Sequence, residues 1–568
     1  MAYALVSRST RLLAVLALAG TLSGCFVGDV LPSGKGRSAP GKPDQPPPVL
    51  PLLPQATPLT GARLARRIAL DLGLTLPAAA DVALVTPDPD TYSRLVDAYL
   101  SGAAAGRAVA ALHRRMWHLD AAKLSDLDTL AATDSTLAAA LTDQTRSELI
   151  DAPGLFMRLA LDGHLPFDQL FSQSYTILPA DLVSLLGRSD GGVVWPGEPY
   201  HYAGFQDGRP AAGILAGDAL LAAFPGDEGH ASVQRTRLIL NEISCLHTDG
   251  ANAHLYYDLS PDELAGDLDA LALQKPTCAG CHRVFDNPAT AWDGLATGST
   301  FADWLAYSAP ATPPAAMYSG QPFTGLDGLG ALVGADPRTY RCEVEKLYAT
   351  ILQRPLDAAD GVAVATALHA FENGGLSLAP VLRSLYTNPE YTVSVIGPKL
   401  KGKVLRHSSG VRLLGLAQWR GVLESLLPGG ITFPLPTALD PGSEQLVGDD
   451  QALPSGTYWH EVNRVAREAA TAIVRGELAD GTLASSRRLL RDLPDGSGAT
   501  ADQATVERQI KDVWKRLMGE DLLDANPTWQ GLKDLWAAAN PTASSDDFRR
   551  AWRTMLVAIL TDPSFITY

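Results

Sequence analysis

The sequence predicts a mainly α, multi-domain protein whose helices are separated by long loops rich in Pro and Gly. Three observations carry that expectation. Apolar residues recur at helical spacing through most of the chain. Ala, Leu and Arg dominate those stretches, with few β-branched runs. The 568 residues, 46% hydrophobic and 19% charged, suffice for two to four domains with their own cores. A formal charge of −16 argues against nucleic acid as a partner, because phosphate recognition needs clustered Lys and Arg.

The N-terminus reads as a targeting segment. Arg8 and Arg11 make a short basic region, Leu12 to Leu22 is apolar, and Leu22-Ser23-Gly24-Cys25 reads as a bacterial lipobox. Residues 1–24 are then a lipoprotein signal peptide and Cys25 the lipidated first residue of the mature chain; an uncleaved anchor or a plain secretory peptide is the other reading. Cleavage would remove two Arg and no acids, taking −16 to −18. Acylation holds a domain at a membrane surface, which predicts a cell-envelope lipoprotein, periplasm-facing or on the outer membrane. Phe26 supplies no Asp-type retention signal, a hint toward the outer membrane. Residues 25–58 carry Pro32, Pro40, Pro43, Pro46 to Pro48, Pro51, Pro54 and Pro58 and read as a semi-rigid tether. No later segment reads as a membrane span.

Residues 59–200 are expected to form an N-terminal helical domain. Thr60 can cap a helix containing Leu64, Ile68 and Leu72, and Leu74 to Ala79 turns through Pro77. Further helices are expected around Tyr92 to Leu100, Val109 to Leu119, Asp134 to Ile150 and Ala180 to Leu186. His113 and His118 are five apart, so they do not share a helical face as paired metal ligands would; they read as flanking a buried Met116-Trp117. Ser189 to Gly208, rich in Gly, Pro and aromatics, reads as a long loop or short hairpin.

Residues 201–310 hold a helix from Ser232 to Leu246 and then the pentad Cys278-Ala279-Gly280-Cys281-His282. CxxCH is the attachment signal of c-type haem: two thiols form thioethers with the vinyl groups and the adjacent His supplies the proximal imidazole. The expected cofactor is one covalent haem c, with a structural disulfide or half of a zinc site as the rival readings. Haem c is attached outside the cytoplasm, where the lipobox would send the chain.

Pro310, Pro313 and Pro314 exclude a continuous helix between Ala309 and Met317, so that stretch reads as a loop. Met317 is the best thioether candidate for the iron's sixth position; His247 and His254 are alternatives, and with none of them the site would be open to a small molecule. Gly325, Gly328, Gly330 and Gly334 imitate a glycine-rich loop, but no buried strand precedes them. In residues 311–395, a helix from Asp336-Pro337 shows Tyr340, Val344, Leu347, Tyr348 and Ile351 as one apolar stripe, with Cys342 on the opposite face. With Cys25 lipidated and Cys278 and Cys281 on haem, Cys245 and Cys342 remain, and in an oxidising compartment the two are expected to pair as a disulfide.

Residues 396–568 read as a C-terminal helical domain with an internal echo. Val344 to Asp360 followed by Leu382 to Tyr391 resembles Ile510 to Asn526 followed by Leu556 to Phe565. Two related helical modules, or two unrelated hairpins sharing an Asn/Asp-Pro stop, would give this pattern. No HExxH, GxSxG or GxxxxGK motif occurs, and acidic pairs such as Asp449-Asp450 read as solvated turns.

Taken together, Phe171 to Gly187 with Tyr175-Thr176, Gly213-Ile214-Leu215, Arg235 to Cys245, Cys278 to Asp286, Asp336-Pro337 to Arg354 and Leu382 to Tyr391 carry a resemblance. The chain resembles the planctomycete-type and myxobacterial cytochrome-c-like proteins, which are assembled from domains of unknown function. It departs from them at Asp286-Asn287-Pro288, where the family has Asp-Pro-x-Gly. The resemblance implies a haem motif and an envelope location, and no particular substrate. The expected function is single-electron transfer by an anchored haem c lipoprotein working with redox protein partners. A haem enzyme or redox subunit with an open iron site, and a non-haem surface scaffold, are the alternatives.

Overall fold

The protein's structure, a computed structural model, describes residues 56–85, 89–119, 134–224, 231–246, 288–295, 307–310, 315–352, 360–396, 413–427, 429–436, 456–479, 481–495, 501–540 and 544–567, with 124, 127, 131, 132, 356, 439 and 542 besides. The chain divides into Met1–Pro48 and Val49–Tyr568, and all described residues belong to the second unit. The lipobox, most of the tether, His247, His254 and the CxxCH pentad lie outside the described residues.

Strand β1 (Ala56–Pro58) leads into α1 (Gly61–Leu72), whose first turn is capped by the Thr60 hydroxyl accepting from the Arg63 amide, 3.4 Å. Helices α2 (Ala79–Leu84), α3 (Pro89–Leu100) and α4 (Ala103–Met116) follow. The helix expected from Asp134 to Ile150 is two: α5 (Ser135–Ala140), capped by Asp134, and α6 (Asp143–Leu161), capped by Thr142. Each side-chain cap starts its own helix, which the apolar period alone did not reveal. Helix α6 lies against α4, and at Gly154 a Cβ would stand 2.5 Å from the Ala110 carbonyl oxygen. Only glycine permits that approach.

A three-stranded antiparallel sheet comes next: β2 (Tyr175–Pro179), α7 (Ala180–Leu185), β3 (Ser189–Val193) and β4 (Tyr200–Gly204), in the order β2-β4-β3. Of the two readings of Ser189 to Gly208, the hairpin holds, with β4 central because it pairs on both edges. Helices α8 (Asp218–Ala223) and α9 (Ala231–Arg237) lead into a π-helical segment, Leu238–Ile243. The helix expected to reach Leu246 is therefore α for one part and π for the other; Ser244 N–H donates to the Ile239 carbonyl, five residues back.

The loop expected through Met317 gives way to β5 (Ala315–Tyr318), paired with β6 (Gln321–Thr324). The four glycines then lie on helix α10 (Gly325–Ala335) rather than in a loop. There Gly330 and Gly334 meet the Phe171 and Asp168 carbonyls, where a Cβ would stand 2.1 and 2.4 Å away. They are present for close packing. Helices α11 (Pro337–Leu352), α12 (Gly361–Asn373) and α13 (Leu378–Tyr386) and strand β7 (Val393–Ile396), antiparallel to β1, complete this part. The remainder is α14 (Leu416–Leu426), α15 (Gly456–Glu477), α16 (Gln503–Met518), α17 (Pro527–Ala539), α18 (Ser545–Leu560) and the short α19 (Pro563–Ile566).

Among the described residues, two apolar cores result. One runs from Leu64 to Tyr391 and joins described residues from all of 59–200, 201–310 and 311–395; the other spans Leu413 to Ile566. Helix α1 belongs to both, giving Leu64, Ala65, Ile68 and Leu72 to the first and Leu70 to the second. Its two buried arginines hold one core each. Arg67 donates to the carbonyls of Tyr391 (2.7 Å) and Val393 (3.1 Å). Arg66 donates to those of Leu517 (2.7 Å), Phe565 (2.7 Å) and Thr567 (3.3 Å).

The echo in the sequence is an echo in space. Val344, Leu347, Tyr348, Ile351 and Leu352 are buried along α11, as Ile510, Val513, Trp514, Leu517 and Met518 are along α16. The Asn388 carboxamide accepts from the Glu390 amide at 2.9 Å and the Asp562 carboxylate from the Ser564 amide at 2.8 Å, closing the same turn. Beyond each turn the chain accepts a hydrogen bond from the residue ahead of a helix: Leu59 N–H to Thr392 O, 2.9 Å, and Leu414 N–H to Ile566 O, 2.8 Å.

Candidate functional site

The structure places the sequence-derived candidates that it describes around the π-helical segment. Cys245 follows that segment and is joined to Cys342 of α11 by a disulfide, with Cα atoms 5.4 Å apart. Cys245 has φ of 50°, a left-handed conformation uncommon outside glycine. Cys342 is buried, contrary to the expectation that it sits off the core face. The side of α11 opposite the apolar stripe is covered by the π-helical segment, which the sequence period of α11 alone does not report.

Met317 lies on β5, where Ala316 and Tyr318 point inward and Met317 is 43% exposed. Alternation along a strand puts its thioether on the outer face. Its neighbour ties this hairpin to the disulfide: the Tyr318 hydroxyl and Ser244 Oγ are 2.7 Å apart, and Ser244 lies 3.4 Å from Thr339 Oγ1 of α11. Burial pushes the Tyr318 phenol up to about 12, so it stays neutral and can donate. Glu242 on the same segment pairs with Lys346 and lies 3.8 Å from His118 Nε2.

His113 was expected to flank a buried pair. Met116 and Trp117 are buried as expected, but His113 is itself in the core, fully excluded from solvent. Its Nδ1 is 2.8 Å from the Val109 carbonyl and its Nε2 2.8 Å from Glu343 Oε1. A carbonyl only accepts, so Nδ1 carries a hydrogen, and a further proton must lie between Nε2 and the carboxyl. The partner was missed because Glu343 is 230 positions away and glutamates are read as surface residues.

A second group unforeseen from the sequence lies beside the three-stranded sheet. Arg188 clasps Asp218 through Nε (2.8 Å) and Nη2 (2.6 Å) and reaches Asp207 through Nη1 (3.0 Å). Arg209 bonds both carboxylates, Asp207 at 2.6 Å and Asp218 at 3.1 Å. These guanidinium groups hold the Asp207 carboxyl below its ordinary range against the opposing effect of burial. Among the described residues the group sets two charges of each sign against one another. Arg235 on α9 sits beside them, 2% exposed, with Nε donating to the Phe224 carbonyl at 3.1 Å. Helix α9 also packs on the turn Thr290–Trp292, whose indole N–H donates to the Leu215 carbonyl at 3.2 Å.

Among the described residues no three His, Cys, Asp or Glu side chains gather as a metal-binding group, and no helix is long and apolar enough to cross a membrane. No protein-family model, curated protein or solved structure matches the chain.

Proposed function

We propose that the protein is an envelope-anchored lipoprotein carrying one covalent haem c and passing single electrons between redox partner proteins. The observation that carries this reading is the CxxCH pentad, which gives Cys278 and Cys281 as the thioether attachment points and His282 as the proximal ligand. The cysteine inventory supports it. A Cys245–Cys342 disulfide leaves Cys25, Cys278 and Cys281, which are the lipidation candidate and the haem pair. The lipobox and the Pro-rich stretch after it suit a domain tethered to a membrane surface.

Bound haem supplies a one-electron centre whose potential is set by its axial ligands and surroundings. Met317, with its thioether free of the core, is the proposed sixth ligand. The test is the visible spectrum of protein matured in a periplasm with haem-attachment machinery. A low-spin six-coordinate spectrum that becomes high-spin in Met317→Ala supports electron transfer with Met317 as ligand. A spectrum that is high-spin in the wild type favours the open iron site of a haem enzyme.

A further inference from the structure

Cys245 meets Cys342 because the helix ahead of it is out of step. Through Leu238–Ile243 the hydrogen bonds reach further back than in an α-helix: the Ser244 amide donates to the Ile239 carbonyl at 2.8 Å, and the Leu246 amide to that of Leu240, six residues back, at 2.7 Å. A turn with one extra residue displaces everything beyond it by about 100° around the helix axis. An uninterrupted α-helix through Leu246, which the sequence predicts, would therefore present Ser244 where Cys245 now faces α11. Cys245 closes the segment at φ 50°, the left-handed cap conformation that glycine usually supplies. The π register and the left-handed cap both cost conformational free energy, and the bond to Cys342 holds them in place. The packing of the segment suits either register. Leu238, Ile239, Leu240 and Ile243 are all buried, so the stretch is apolar on several sides and still buries apolar surface when turned by one residue.

We propose that the Cys245–Cys342 bond is a thiol-redox switch. Oxidised, it pins residues 238–246 in the π register; reduced by a dithiol, the segment returns to the α register and releases the β5–β6 hairpin. Attack comes from one side, since Cys245 is half-buried and Cys342 is 1% exposed. A thiolate of the incoming dithiol bonds to Cys245 Sγ, the S–S bond breaks, and its electron pair leaves on Cys342 Sγ, which takes up a proton. That thiol has an acceptor in place, the Glu242 carbonyl oxygen at 3.7 Å. The second thiol of the reductant then displaces Cys245 from the mixed disulfide. Two electrons and two protons thus convert the bond to two thiols, and the dithiol becomes a disulfide. Ser244 carries the change outward. Its Oγ lies 2.7 Å from the Tyr318 hydroxyl and 3.4 Å from Thr339 Oγ1, and turning the segment by one residue removes it from both. Tyr318 is the inward-facing neighbour of Met317 on β5, so the hairpin that loses this bond is the one presenting that thioether. Every group in this switch lies outside the CxxCH pentad, so it operates with or without haem.

The test compares hydrogen exchange of residues 315–324 in the full chain, oxidised and after dithiothreitol, for wild type, Tyr318→Phe, and Cys245→Ser with Cys342→Ser. Reduction should speed exchange of the wild-type hairpin about five- to tenfold, the loss of one buried hydrogen bond. In Tyr318→Phe the hairpin should exchange at the faster rate in both states, since its link to Ser244 is already gone. The double serine variant should match reduced wild type and ignore dithiothreitol. A wild-type hairpin unchanged by reduction, or the same acceleration in Tyr318→Phe, overturns the switch. Register is read separately, in Ser244→Cys combined with Cys245→Ala. There the α register brings the introduced thiol to Cys342, and an oxidant should join the two, as mapped by peptide mass. Two free thiols, under an oxidant that reforms the wild-type bond, mean a segment fixed in the π register and overturn the switch.

Discussion

The two echoed modules share a frame and differ in what was built into it. In both, an amphipathic helix, α11 or α16, is followed by a pair of packed helices, an Asx-Pro turn, and a segment bonded to the residue ahead of α1 or α14. The first module carries the polar chemistry. Glu343, next to Val344, meets a buried histidine, and Cys342, on the same helix, is joined by the disulfide to Cys245. At the corresponding position before Ile510 the second module has Gln509, fully buried, whose carbonyl accepts from the Asp492 amide (2.6 Å) and whose amide donates to Leu489 O (3.1 Å). A neutral amide satisfied by backbone needs no proton bookkeeping, whereas a carboxyl against an imidazole does. The comparison teaches that one frame accepts two solutions for the same buried position: a carboxyl paired with a histidine in the first module and an amide satisfied by backbone in the second.

The largest expected effect separates the modules by their arginines. Arg67→Ala removes two charge-assisted bonds to carbonyls and should cost about 3–6 kcal/mol of unfolding free energy. It should expose amides of α13 and β7 to hydrogen exchange before those of α18. Arg66→Ala should do the reverse. Equal loss of protection in both modules for either variant would break the idea that α1 serves them separately.

Glu343 sharpens the comparison next. Glu343→Ala leaves the buried His113 Nε2 without its hydrogen-bond partner and should destabilise by about 2–3 kcal/mol in denaturant unfolding. Glu343→Gln, which copies the second module, should cost about 1 kcal/mol, since an amide still meets the ring. Should the two variants melt alike, the pair would carry no more than packing.

The disulfide belongs to the first module alone. Replacing both Cys245 and Cys342 by Ala opens a loop of 97 residues in sequence separation and should cost about 2–4 kcal/mol. The loss should appear in exchange of α9, the π-helical segment and α11, with α15 to α18 unchanged.

Much of this frame was legible in the sequence because it rests on local signals. Thr60 announces α1, the stripe from Tyr340 to Ile351 announces α11, and the repeated Asx-Pro stop announces the echo. What escaped notice depends on partners hundreds of residues apart. Arg66 and Arg67 sit at ordinary polar positions of an amphipathic pattern, and their acceptors are carbonyls 324 to 501 residues away. Arg235 is likewise unremarkable as a sequence residue, and its burial follows from packing of α9 on a turn more than fifty positions later. The second helix face of α11 was misjudged for the same reason: a period shows which residues share a face, and only tertiary contacts show how many faces are covered.

The central claim is that Cys278 and Cys281 hold haem covalently. The most direct measurement is a haem stain on a denaturing gel of protein matured with haem-attachment machinery, run beside Cys278→Ala with Cys281→Ala. A stained band in the wild type, lost in the double variant while the protein remains, is the predicted result. An unstained wild-type band from cells that load a control cytochrome c would contradict the account.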